Sequence, residues 1–321
     1  MIASRIFVTR RLPEAVEEVL AGRLGAQLCD ADTNAGGGLS RAQLASAMAD
    51  FDILLPTITN RLDAALLRPG SRVKLIANFG AGVEHIDLDA ARAAGIIVTN
   101  TPDALTETTA ELALTLMLMA ARRAGEGERL IRSGGWTGWG PSALMGQGLA
   151  GKLLGLVGYG RIAGATASRA RVFGMKIAYF SRSTALDVGD AVRFDSLSEL
   201  AEAADVLSLH VPGGLATRHM IDAALLAKMK PTSILINTAR GSVVDEAALA
   251  AALATGRIAA AGLDVFEAEP RVHPALMALE NAVLLPHLGS ATLECRTAMG
   301  MQAIANIDAF LSGQDPPNRV A

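Results

Sequence analysis

The sequence predicts an α/β protein of two Rossmann-like domains, each a doubly wound parallel sheet, with one domain discontinuous in the chain. Three observations carry that expectation. Short apolar runs alternate with helix-like stretches along most of the length, the pattern of βα units and hence of parallel strands. A strand, a tight glycine turn and a helix follow one another over residues 153–164. Finally, 321 residues, 51% of them hydrophobic and 19% charged, are too many for one ordinary core and comfortable for two.

Taken in order, the first strands are Ile6-Phe7-Val8-Thr9, Asp52-Ile53-Leu54-Leu55, Lys74-Leu75-Ile76-Ala77 and Ile96-Ile97-Val98-Thr99, with helix-like text from Pro13, from Ser40 and over 88–94. A long helix is predicted from Thr106 through Arg123, because Glu107 and Glu111 put acid near its start and Gly125 marks its end. From 125 to 151 the text is rich in Gly, Trp and Ser and predicts a long loop, which in a compact domain is functional or an interface arm. A second βα series opens at Lys152, with strands at 153–157, 176–180, 206–210, 234–237, 260–263 and 283–285. A helix over about 291–311 and a polar tail close the chain.

The composition excludes several classes. The net charge is −3 and no Lys/Arg run exceeds a pair, so the electrostatic footprint of a nucleic-acid or anionic-membrane partner is missing. Cys29 and Cys295 stand far apart without Cys or His at ligand spacing, which predicts two reduced thiols and no metal. The longest apolar run, 112–121, is interrupted by Thr115 and too short to span a bilayer. The N-terminus reads as a first strand and not as a leader, so a cytoplasmic protein is expected.

Gly158, Gly160 and Ala163 satisfy the dinucleotide pattern G-x-G-x-x-[G/A]. The first permits the turn, the second lets backbone approach a pyrophosphate, and the third keeps helix close to strand, with Tyr159, Arg161 and Ile162 beside the phosphates. The next strand ends not in the acid that grips a ribose 2′-OH but in Ser181-Arg182-Ser183-Thr184. Hydroxyls flanking a guanidinium suit a 2′-phosphate, which predicts NADP(H) over NAD(H). The alternative is an Arg182 that stacks on adenine and accepts either cofactor. Further along, His210, Val211, Pro212 and Thr217 follow a strand and are expected to line the cofactor, although His210 could equally be structural.

Three later strands end in polar clusters: Asn237-Thr238-Ala239-Arg240-Gly241, the run from Asp264 to Pro270, and Pro286-His287-Leu288-Gly289-Ser290. Ligands of open parallel sheets sit off the carboxyl ends of strands, so these clusters should converge on one cofactor.

With Asn78-Phe79-Gly80-Ala81-Gly82-Val83-Glu84-His85-Ile86-Asp87 and Val98-Thr99-Asn100-Thr101-Pro102-Asp103, these segments resemble the D-isomer-specific 2-hydroxyacid dehydrogenase family, closest to its glyoxylate/hydroxypyruvate reductase branch. The resemblance covers nearly the whole chain. It implies a substrate domain of 1–99 with 288–321, a cofactor domain of 100–287, and a homodimer built on the helix and arm at 104–150. It also implies a small 2-oxo or 2-hydroxy acid substrate.

By that resemblance Arg240 binds the substrate carboxylate and carbonyl oxygen, a task suited to a planar, permanently charged fork. His287 is the acid/base, since imidazole serves both directions near neutrality. Glu269 hydrogen-bonds His287, fixes its tautomer and favours its protonated form. Asp264 orients the nicotinamide carboxamide, and Thr238, Ala239 and Gly289 complete the cofactor contacts. The N–H groups of Ala81, Gly82 and Val83 grip the carboxylate, with Leu55 and Ser290 also at the substrate.

Other polar residues are given plainer readings: His85 a structural hydrogen-bonder, His219 and His273 surface, Glu267 solvated, Trp136 and Trp139 packed in the dimer arm. Some reductases of this branch carry an intersubunit Trp in the stretch that reads Pro141-Ser142-Ala143-Leu144-Met145 here, so the resemblance does not extend to that contact. Two alternatives stand beside this reading. A formate dehydrogenase-like enzyme would pair its histidine with Gln, where Glu269 stands. A dinucleotide-sensing co-regulator is disfavoured by the lack of an extra tail or insert.

Overall fold

Every strand of the computed structural model, which describes residues 5–29, 38–182 and 188–321, joins one of two wholly parallel sheets, of five and seven strands. The chain divides into two units, Met1–Leu105 with Ala291–Ala321, and Thr106–Ser290.

In the first unit β1 (Ile6–Val8), β2 (Gln27–Leu28), β3 (Ile53–Leu55), β4 (Leu75–Ala77) and β5 (Ile97–Thr99) lie in the order β2-β1-β3-β4-β5. β1, β3 and β4 are buried throughout, as strands covered on both faces must be. Their pleat sorts the side chains: Ile6, Val8, Ile53, Leu55 and Leu75 pack with Met299, Ala303 and Ile307 of the helix Leu293–Leu311, while Phe7, Leu54 and Ile76 pack with Leu44 and Met48 of the helix Arg41–Asp50. The C-terminal helix thus completes the N-terminal sheet, which is why this domain is discontinuous. Ser40 caps the helix Arg41–Asp50 in a reciprocal box with Gln43.

In the second unit β6 (Leu153–Val157), β7 (Lys176–Phe180), β8 (Val192–Arg193), β9 (Val206–Leu209), β10 (Ile234–Asn237), β11 (Ala260–Leu263) and β12 (Ala282–Leu284) form the order β12-β11-β10-β9-β6-β7-β8. The direction of winding reverses between β6 and β9, so the carboxyl ends of those strands flank a crevice. Helices Thr106–Ala121 and Arg161–Val172 cover one face; Leu197–Ala203 and Glu246–Ala254 cover the other.

Three differences from the sequence expectation have physical reasons. The segment expected to be loop from residue 125 opens with a helix, Ala124–Arg132. Gly125 and Gly127 read as breakers, but ion pairs Arg123–Glu126, Arg132–Glu128 and Arg129–Glu280 hold that helix, and the chain breaks earlier, at Arg123 in left-handed conformation (φ 52°). β2 and β8 are two residues each, too short to show a period. The last strand sits one residue earlier than expected, at Ala282–Leu284.

Among the described residues no helix is long and apolar enough to cross a membrane, and no group of three or more His, Cys, Asp or Glu could hold a metal ion.

Candidate active site

The glycine turn follows β6 as its spacing demands. Gly158 has φ 86°, and a Cβ there would lie 2.7 Å from the His210 carbonyl oxygen and 3.0 Å from Val211 Cγ1, so no larger residue fits. Gly160 caps the helix Arg161–Val172 without any side-chain cap, and a Cβ on it would meet nothing within 4 Å. Open space in front of a helix N-terminus fits a pyrophosphate, whose charge the first-turn N–H groups favour. Ala163 is fully buried beneath that turn.

The β9 end brings His210 beside Gly158. Its Nε2 lies 2.9 Å from Ser208 Oγ, and burial pushes its pKa down to about 4, leaving a neutral ring at physiological pH. Thr217 Oγ1 donates to the Pro212 carbonyl at 2.7 Å and fixes the 210–217 loop. Ser181 is buried and Arg182 exposed at the end of β7; Ser183 lies outside the described residues.

The next three strand ends, of β10, β11 and β12, are adjacent in the sheet. Asn237 shapes the first: its Nδ2 donates to the Arg240 carbonyl at 2.9 Å and its Oδ1 accepts the Ala239 N–H at 3.0 Å. Arg240 Nη1 donates to the Ala239 carbonyl at 2.7 Å. Thr238 Oγ1 is buried without a hydrogen-bond partner among the described residues, so its hydroxyl is available to a ligand at this strand end. A Cβ on Gly241 would lie 1.9 Å from the Phe266 carbonyl carbon, so glycine here lets the Arg240 loop rest on the loop after β11.

That second loop carries the acids. Asp264, 1% exposed, accepts the His287 N–H on its carbonyl (2.9 Å), the Leu288 N–H on Oδ1 (2.6 Å) and the Gly289 N–H on Oδ2 (2.8 Å). It therefore clasps the loop that holds His287 in left-handed conformation at φ 56°. Burial pushes the Asp264 carboxyl above its ordinary range, against the pull of the Leu288 N–H and of His287.

Glu269 Oε1 accepts the Phe266 N–H at 3.0 Å, and Oε2 lies 2.8 Å from His287 Nδ1. Burial raises the Glu269 carboxyl, but the His287 hydrogen bond and charge, the Phe266 N–H and the Arg240 charge together hold it below the usual carboxylate range. An ionised Glu269 fixes the proton of His287 on Nδ1, and Nε2 has no protein partner among the described residues.

Glu267 and His219 differ from their plainer readings. Glu267 accepts the Glu246 N–H at 3.2 Å and lies 3.0 Å from His219 Nε2, while Glu246 in turn accepts the Glu267 N–H at 2.5 Å and the His273 N–H at 3.2 Å. Because the Phe266–Glu269 turn closes on itself, Glu267 and Glu269 face different partners.

In the first unit, Leu55 is fully buried at the end of β3. Beyond β4, Asn78 Nδ2 donates to the carbonyls of Gly80 and Gly82, each at 3.0 Å, and Asn100 Nδ2 to that of Ala81 at 2.8 Å. His85 Nε2 lies 3.0 Å from Asn78 Oδ1, in keeping with a structural histidine. Among the described residues the N–H groups of Ala81, Gly82 and Val83 donate to no protein acceptor. Ser290, in the second unit, is half-buried.

Asn78, Asn100, Asn237 and Glu246 are functional positions that sequence reasoning missed. An amide at the very end of a strand, a few residues before a glycine, was the available signal for Asn78 and Asn237.

Comparison with known proteins bears on this geometry. The family model for the D-isomer specific 2-hydroxyacid dehydrogenase NAD binding domain matches residues 114–289. The glyoxylate reductase of Thermococcus litoralis is 42% identical over 98% of this chain and 96% of its own. Among solved structures, a protein from Thermus thermophilus superposes with a TM-score of 0.91 at 42% identity, covering 99% of this chain and 100% of that one. The NADPH-dependent glyoxylate/hydroxypyruvate reductase of Sinorhizobium meliloti, in complex with NADP and malonate, gives 0.85 at 35% identity over 99% and 97%.

Proposed function

This chain belongs to the D-isomer specific 2-hydroxyacid dehydrogenase family, and from that premise we propose that it reduces small 2-oxo acids of the glyoxylate and hydroxypyruvate type to D-2-hydroxy acids, with NADP(H) preferred over NAD(H). The observation that carries this reading is His287 with Nδ1 held by Glu269 at 2.8 Å and Nε2 unpartnered among the described residues. The unit Thr106–Ser290 would be the dinucleotide domain and the other the substrate domain.

Gly158, Gly160 and the helix beginning at Arg161 would hold the pyrophosphate, and Thr238, with its unpartnered hydroxyl, would meet the cofactor nearer its reactive end. The bound nicotinamide supplies the hydride. Arg240 binds the carboxylate and the carbonyl oxygen of the oxo acid and favours the charge that grows on that oxygen. His287 gives the Nε2 proton to it, and in the reverse direction takes that proton back. Glu269 keeps the other proton at Nδ1 and stabilises the imidazolium. Asp264 holds the loop that carries His287 through three hydrogen bonds, to the N–H groups of His287, Leu288 and Gly289, and its carboxylate would also orient the nicotinamide carboxamide.

Preference for the 2′-phosphate rests on the absence of an acid after β7 and on the exposed Arg182 guanidinium. The relative solved with NADP supports the same direction. A homodimer is supported by the arm that follows the helix Ala124–Arg132, where Trp136 is 56% and Trp139 84% exposed on the single chain. Light scattering would read its mass.

The deciding experiment is a panel of 2-oxo acids with NADPH and NADH, run on the parent and on His287→Gln. The parent should reduce glyoxylate or hydroxypyruvate with NADPH, and His287→Gln should lose roughly 10²- to 10⁴-fold in kcat, the usual worth of a general acid. An unimpaired His287→Gln protein would refute the reading. Arg182→Ala should raise KM for NADPH roughly 10- to 100-fold and leave NADH alone, the loss of one charged phosphate contact; a parent that favours NADH sinks the preference while leaving the chemistry intact.

A further inference from the structure

The loop after β4 has a construction that the functional reading does not absorb. We propose that Asn78, with Asn100 as its helper and His85 as its anchor, is the positioning residue that turns the amides of Ala81, Gly82 and Val83 toward the substrate carboxylate. The proposal rests on the reading above that this loop binds a carboxylate.

In a trans peptide the carbonyl of residue i and the N–H of residue i+1 point in opposite directions across one rigid plane. Three successive planes link Gly80 to Ala81, Ala81 to Gly82 and Gly82 to Val83. The carbonyl of each is held from one direction or another by a donor: Gly80 by Asn78 Nδ2 and by the Thr101 N–H, both at 3.0 Å, Ala81 by Asn100 Nδ2 at 2.8 Å, and Gly82 by Asn78 Nδ2 at 3.0 Å. Fixing those oxygens fixes the three opposite N–H groups, which are the ones without a protein acceptor among the described residues. Successive N–H groups turned outward form an anion-binding concavity.

A short amide meets both demands at once. Two carbonyl oxygens need two N–H donors, and the NH₂ group of Asn78 supplies both from a fully buried position. That assigns the amide's orientation, so Oδ1 faces His85, and His85 must donate through Nε2 across 3.0 Å. An Asp of the same shape would set a carboxylate against two carbonyl oxygens and push the loop apart.

The test compares glyoxylate with its neutral carboxamide, glyoxylamide, as substrates of the parent, Asn78→Asp and Asn100→Ala. For each protein kcat, KM, the thermal unfolding midpoint and inhibition by oxamate, which has a carboxylate but is not reduced, are measured. The parent should favour glyoxylate in KM. In Asn78→Asp the KM for glyoxylate should rise roughly 10- to 100-fold, the scale of losing well-aligned hydrogen bonds to a charge. Its kcat should stay within a few fold, the glyoxylamide KM should hold, and oxamate inhibition should weaken in step. Asn100→Ala, which frees one carbonyl of three, should move the same ratio by less.

A folded Asn78→Asp protein that keeps the parent's glyoxylate preference overturns the proposal. So does an equal loss of kcat on both substrates, because that is what a merely structural asparagine would give. Should Asn78→Asp fail to fold, Asn100→Ala decides alone, and an unchanged substrate ratio there is fatal. If instead the parent itself fails to distinguish glyoxylate from glyoxylamide, the carboxylate reading of the loop falls first and takes this proposal with it.

Discussion

The two glycine-rich loops, after β4 and after β6, both leave backbone N–H groups open, and they do it by opposite means. After β6 the main chain is enough: Gly158 turns at φ 86° against the His210 carbonyl, and the helix from Arg161 lines up its own first N–H groups. After β4 no helix follows directly, and Asn78 and Asn100 hold the carbonyls that the glycines would otherwise leave free to swing. One loop is kept by conformation and the other by side chains. The difference teaches where each will be fragile: the first at its glycines, the second at its amides.

The largest expected effect would break the first half of that comparison. Gly158→Ala must place a Cβ 2.7 Å from a carbonyl oxygen at a left-handed φ, which strain and overpacking together make worth roughly 2–5 kcal/mol of stability. Gly160→Ala, two residues on, adds its Cβ to open space and should leave stability within about 0.5 kcal/mol. Yet it should weaken dinucleotide binding at least about tenfold, since the space it fills is where the pyrophosphate would lie. Urea unfolding and fluorescence titration of NADPH read the two effects separately. Equal stabilities, or unaltered binding by Gly160→Ala, would mean the turn is not the rigid cradle described.

A smaller effect sharpens the contrast between the units by pH. His210, packed behind Gly158, has its pKa lowered to about 4, so the unfolded chain takes up a proton that the folded one refuses. Its contribution is therefore whole above pH 6.5 and is lost as pH falls from 6.5 toward 4. The full shift corresponds to about 3 kcal/mol; since part of the residue reaches the surface, about 1–2 kcal/mol is the expected loss. Carboxylates such as Glu17 in the first unit, held low by its hydrogen bond to Arg11, act in a lower window: their contribution is whole above the ordinary carboxylate range and fades as pH falls through it. Hydrogen exchange corrected for its intrinsic pH dependence should weaken first in the second unit between pH 7 and 5. His210→Gln should abolish that early loss, and a loss that persists in the variant would assign it to another group.

How much of this was legible in sequence follows from the same distinction. Alternating apolar runs gave both sheets, because a strand buried on both faces must be continuously apolar. The glycine turn was legible because a φ of 86° leaves few other residues possible. The pairing of Glu269 with His287 came from the family resemblance. What was hidden is what side chains do to neighbouring backbone. The grip of Asp264 on the Leu288 and Gly289 N–H groups was not legible, since those partners lie some 25 residues further along the chain. Glu267 was read as solvated because its partners, His219 and the Glu246 N–H, come from segments some twenty to fifty residues away. The helix Ala124–Arg132 was hidden by its glycines, and the ion pairs that offset them include one to Glu280, far along the chain.

The mildest test returns to the loop after β4. A Cβ on Gly80 would sit 3.4 Å from Asn78 Nδ2, in bare contact, so the amide is nudged slightly without being expelled. Gly80→Ala should accordingly cost about 0.5–1 kcal/mol in stability, near the low end for overpacking. Because the displaced group is the donor to two carbonyls, KM for glyoxylate should rise by roughly two- to fivefold, about what a lengthened but unbroken hydrogen bond forfeits. Conformation is not the constraint at this glycine, whose φ lies outside the left-handed region, so the effect has to pass through Asn78. In an Asn78→Ala background the same substitution should then leave KM unmoved. Additive effects of the two changes would show that Gly80 acts on the loop independently, and the side-chain account of this loop would have to give way to a conformational one.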